Sequence, residues 1–65
     1  MISDLDIWRC AALMVTNYGD LADIEAASEA DAMLAEGDID GQRVWMRIAK
    51  AIDELRTVKP GEARN

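Results

Sequence analysis

In the stretch AEGDIDGQRVW, Glu36, Asp38 and Asp40 fall at alternate positions and Gly41 follows at once. This is how a calcium-binding loop begins, with oxygen ligands at its first, third and fifth positions and glycine at the sixth. The twelfth position of such a loop must supply a bidentate carboxylate, and here it is Arg47. A guanidinium there removes the ligand and repels the ion, and Arg43 adds a second positive charge within the same span. The same residues read better as a corner between helices: Gly37 stops one helix, Asp38 caps the next, and carboxylates in a first turn suit the positive end of the helix dipole. No metal and no cofactor is expected.

Other reactive side chains lack partners. Ser3, Thr16, Ser28 and Thr57 have no histidine to serve as base, because the chain contains none, and Cys10 is the lone cysteine with only Arg9 as an obvious cationic neighbour. Nucleophilic catalysis and an intrachain disulfide are therefore not expected. Asp31 falls on the helical wheel between Ile24 and Ala27 with Leu34 close by, which predicts a partly buried carboxylate. Burial would demand a donor from Trp8, Trp45, Tyr18, Arg43 or Arg47. A polar clamp between helices accounts for it without any catalytic role, and no catalytic residue is assigned.

Charge narrows the partners. The net charge is −6, no Lys or Arg occurs between Arg9 and Arg43, and eight acids run from Asp20 to Asp40. Nucleic-acid and anionic-membrane binding need clustered positive charge, so neither is expected, whereas a basic protein partner is compatible. Arg43, Arg47 and Lys50 do share a stripe where a helix-turn-helix protein reads DNA. The acidic helix before them opposes that reading, and pairing with acids of the second helix or with Glu54 is expected instead. No apolar run approaches the roughly 20 residues that span a bilayer, and MISDLD lacks the basic start of a secretory signal, so a cytoplasmic protein is expected.

The elements that must position these residues are helices. Ser3 with Asp6 resembles a capping box and opens a helix over residues 4–18, burying Leu5, Ile7, Trp8, Ala11, Ala12, Met14, Val15 and Tyr18 and ending at Gly19. A second helix over 21–36 has Asp20 as cap and Leu21, Ile24 and Leu34 as apolar anchors among alanines. A third over 39–58 buries Val44, Trp45, Ile48, Ala51, Ile52 and Leu55, and Pro60 ends it. The expected fold is all-α, a compact three-helix array forming one domain over residues 1–58, with Trp8 and Trp45 as large core pieces and a frayed tail at 59–65.

The stretches DIWRCAALMVTNYGD, EADAMLAEGDIDG and VWMRIAKAIDEL together resemble a family of short, uncharacterised, acidic helical proteins of alphaproteobacteria. The resemblance spans most of the chain and implies a helical fold and a bacterial origin. It implies no activity, cofactor or catalytic residue, and Cys10 stands where the family pattern has alanine.

A 65-residue chain buries only about 60% of the surface its unfolded form exposes, and such chains commonly gain stability from a partner or from regular helix packing. The expected function is a small non-enzymatic protein–protein interaction module, an adaptor or regulator, with a second copy of the chain as one candidate partner. Leu13, Met33 and Met46 fall off the main apolar faces and are candidate contacts. Glu25, Glu29 and Glu36 form an acidic stripe that supports an alternative, an inhibitor imitating nucleic-acid phosphates to block a basic groove, as phage-encoded anti-defence proteins do.

Overall fold

The computed structural model describes residues 2–57, and in them the chain is helical in 91% of positions with no strand. Helix α1 is Asp4–Tyr18, a 3₁₀ turn follows at Gly19–Leu21, α2 is Ala22–Ala35 and α3 is Ile39–Thr57. The expected end of the last helix at residue 58, its stop at Pro60 and the frayed tail at 59–65 lie outside the described residues.

The expectation of three separate helices needs correction, because the chain forms two continuous helical runs, residues 4–35 and 39–57. The reason lies at Gly19. Its φ of 56° and ψ of −124° turn the backbone, yet the Ala22 N–H donates straight back to the Gly19 carbonyl. Helical pairing is thus resumed within the turn and no non-helical residue separates α1 from α2. Asp20 consequently is not the cap of α2: Leu21 holds that position and no side chain caps it.

Three other helix ends follow local rules. The Asp6 N–H donates to Ser3 Oγ at 3.2 Å, fixing the start of α1. At the end of α2 the Asp38 N–H donates to the Met33 carbonyl (2.9 Å) and the Gly37 N–H to the Leu34 carbonyl (3.0 Å), a Schellman arrangement that needs the left-handed φ of 81° at Gly37. Asp38 then opens α3, its Oδ1 accepting from the Gly41 N–H at 2.8 Å. A Cβ on Gly41 would sit 2.7 Å from Asp38 Oδ2 and 2.9 Å from Met33 Sδ. Glycine at this position therefore lets the cap and the methionine close over the corner together.

Packing centres on α3, which touches both other helices, while α1 and α2 touch each other little. The short corner at residues 36–38 and the Arg56–Asp23 ion pair, 3.2 Å, set α2 antiparallel to α3. The Arg47–Asp4 pair ties the start of α1 to the middle of α3, so α1 descends along it before the chain turns back. Both pairs are solvent-exposed and contribute about 0–1 kcal/mol each. The fold is therefore held by its apolar core: Ile7 and Ala11 from α1, Ala22 and Ala26 from α2, and Ile48, Ala51 and Ile52 from α3.

That core is smaller than the sequence suggests. Of the residues expected inside, Leu5, Trp8, Ala12 and Tyr18 of α1 and Leu55 of α3 are exposed, Trp8 at 40%. Met14, Val15, Val44 and Trp45 are half-buried at its edge, as is the free Cys10. The largest reversal is in α2. Leu21, Ile24 and Leu34, expected as anchors, are exposed at 56%, 61% and 50%, and the alanines Ala22, Ala26 and Ala30 are buried instead. Three alanines spaced four apart form a smooth ridge over which α3 can lie close. Larger side chains at the interface would hold the helices apart.

Candidate functional site

The alanine contact has a consequence on another side of the helix. With about 100° between successive residues, Ile24, Ala27, Asp31 and Leu34 share one side of α2, centred about 120° round the helix from the Ala22–Ala26–Ala30 ridge, and all four are exposed. Leu21 extends this outer row at the start of α2, and Ser28 and Ala35 border it. The outer face of α2 is thus an apolar row, spaced by three, four and three residues, with a single carboxylate inside it. The wheel placed Asp31 among these neighbours correctly, but the expectation that it is partly buried is corrected. The whole row faces solvent, so Asp31 is not a clamp between helices and takes no hydrogen bond from Trp8, Trp45, Tyr18, Arg43 or Arg47.

The other candidate contacts lie elsewhere. Leu13 on α1 and Met46 on α3 are exposed, at 61% and 55%. Met33 is half-buried, its sulfur at the corner beside Gly41. Glu29 and Glu36 are exposed and Glu25 is half-buried, and α2 carries no Lys or Arg to offset them.

The stretch that resembled a calcium loop is the α2–α3 corner. Asp38 spends one carboxylate oxygen on the Gly41 amide, and Arg47 is paired with Asp4 across to α1, which corrects its expected pairing with the second helix or with Glu54. It is Arg56 that pairs with α2, through Asp23. Among the described residues no three His, Cys, Asp or Glu side chains are grouped as a metal site would require.

Two shallow depressions flank α3. One, of about 460 Å³, has Ile2 and Val44 as an apolar floor with Asp40, Arg43 and Arg47 around it. The other, of about 300 Å³, lies between α1 and α3 and is lined by Asp4, Ile7, Trp8, Arg47, Lys50, Ala51 and Glu54. Neither contains a Ser, Thr or Cys nucleophile, and the charges in each include both signs. No described helix is long and apolar enough to cross a membrane.

No protein-family model, curated protein or solved structure matches the chain. Its surface chemistry has to speak for it.

Proposed function

We propose that the chain is a small non-enzymatic protein–protein interaction module, an adaptor or regulator that binds another protein through apolar side chains its own fold leaves uncovered. One observation carries this reading. Ten large hydrophobic side chains among the described residues are exposed, whereas Ile52 is the only large side chain buried completely. Scattered surface hydrophobes are ordinary, but on α2 they align along one face, and aligned apolar surface marks an interaction site. Leu13 and Met46 present further apolar surface on α1 and α3. The resemblance to the alphaproteobacterial family carries no activity, so the proposal rests on this surface alone.

The alternative, an acidic inhibitor imitating phosphates, draws less support. Arg56 neutralises Asp23, and Ile24, Ala27 and Leu34 interrupt the acids along the outer side of α2.

Affinity capture with the folded chain, run at low and at raised salt in an extract of the source cells, tests the proposal. A discrete protein bound by apolar contact is expected to remain when salt is raised, because screening acts on exposed charge and not on apolar burial. Release of the partner at moderate salt would favour the inhibitor reading instead. Recovery of no protein at either salt would contradict both.

A further inference from the structure

We infer that the outer face of α2 is a docking site for a basic amphipathic helix, one with an apolar row and a central Lys or Arg that meets Asp31. This deepens the interaction reading and rests on it.

The row has the pitch of a helix–helix seam. Ile24, Ala27, Asp31 and Leu34 recur at the three-and-four spacing by which one helix presents its face to another. Ala27, Ser28 and Ala35 are small, so a partner helix can approach between Ile24 and Leu34, just as α3 approaches the buried alanines on the inner side. An extended strand would find no free backbone here, because the hydrogen-bonding groups of α2 are used within the helix.

Charge selects the occupant. Covering the row buries the Asp31 carboxylate, which is unfavourable unless a cation comes with the partner. A second copy pairing through its own α2 supplies none: that helix holds Asp23, Glu25, Glu29 and Asp31 and no Lys or Arg. It would set Asp31 against apolar side chains of its counterpart and bring like-charged flanks together. A helix with a Lys or Arg at the centre of its apolar row satisfies Asp31, and a cation at its edge meets Asp23, which lies beside Ala27 and Leu34 on the helical wheel.

A synthetic peptide provides the probe. Its length is roughly 15–18 residues, enough to match α2 at about 1.5 Å per residue, with leucines on one face, a lysine in the middle of that face and lysines at the flanks. Amide chemical shifts of the intact protein are followed as peptide is added, with a scrambled peptide of identical composition as control. Shifts centred on Ile24, Ala27, Asp31 and Leu34 are expected. Asp31→Lys should weaken binding roughly 30-fold or more, the scale seen when one member of a buried charge pair is removed. A peptide with glutamate at the central position should recover binding to that variant. Leu34→Ser, which keeps Asp31, should weaken the lysine peptide as well.

Equal binding by the scrambled peptide would overturn the inference, since it would reduce the effect to general attraction between opposite charges. Shifts centred away from α2 would overturn it too. So would concentration-dependent association of the chain without peptide that is lost in Asp31→Lys, because a second copy would then cover the face. If affinity capture yields a discrete partner whose binding ignores Asp31→Lys and Leu34→Ser, the docking site fails while the interaction reading stands.

Discussion

Ile52→Ala is expected to leave the chain largely unfolded or close to it. Among the described residues Ile52 is the only large side chain with no exposed surface, and it lies where α3 meets residues of both α1 and α2 in one cluster. Truncating a buried isoleucine to alanine costs about 2–5 kcal/mol, the transfer loss plus the cavity left behind. A domain of this size has a total stability of roughly 3–10 kcal/mol, at about 0.05–0.15 kcal/mol per residue. The substitution therefore removes a large share of what holds the fold. Urea unfolding followed by circular dichroism should show the midpoint moving sharply down, or a sloping curve with no folded baseline. An unchanged midpoint would mean that the core lies elsewhere.

The second large effect is expected from Ala26→Leu, a change that a helix tolerates but this interface does not. Leucine is nearly as good a helix former as alanine, so helix propensity is almost unaltered. Ala26 is fully buried against α3, and three added carbons must push the helices apart or take strained rotamers, at a cost of about 1–3 kcal/mol. Its neighbour supplies the control. Ala27 is exposed on the outer face, and Ala27→Leu should change stability by no more than about 0.5 kcal/mol. Thermal unfolding of the two variants side by side should separate them by about 4–8 °C for each kcal/mol of difference. Equal melting of the pair would remove the close alanine contact from the account.

The contrast between those two alanines shows where the sequence was readable. The inward face of α3 could be read because Ile48, Ala51 and Ile52 lie on one side while Arg43, Lys50 and Glu54 lie on the other, so amphipathicity points in one direction. The corner was equally plain, since Gly37 and Asp38 do what their types dictate. Helix α2 gave no such direction, because apolar residues occur on both of its faces. Size suggested Leu21, Ile24 and Leu34 as anchors, and size misled. The useful signal was the four-residue spacing of Ala22, Ala26 and Ala30, which builds a ridge able to seat a neighbouring helix closely. Trp8 was misplaced for a related reason: the wheel of α1 offered an apolar arc wider than α3 alone can cover, and Leu5 and Trp8 fall at its open edge.

The missing break between α1 and α2 has a different origin. Gly19 correctly marked the end of α1, but a glycine that stops one helix does not dictate how many residues pass before the next begins. Here the answer is none, and Asp20, which looked like a cap, is part of the 3₁₀ turn. The candidate surface was legible only in pieces. Ile24, Ala27, Asp31 and Leu34 could be grouped from spacing, whereas the side of α2 that turns outward depends on which face α3 occupies.

The central claim is that the buried alanines, and not the large residues of α2, hold that helix in the fold, leaving the outer row free for a partner. Equilibrium unfolding of the double variant Ile24→Ser, Leu34→Ser tests it most directly. Each substitution at an exposed site is expected to change stability by no more than about 0.5 kcal/mol, so the double variant should unfold close to the parent chain. A loss of about 2–5 kcal/mol per substitution, as for buried aliphatic residues, would show that the row is core and contradict the account.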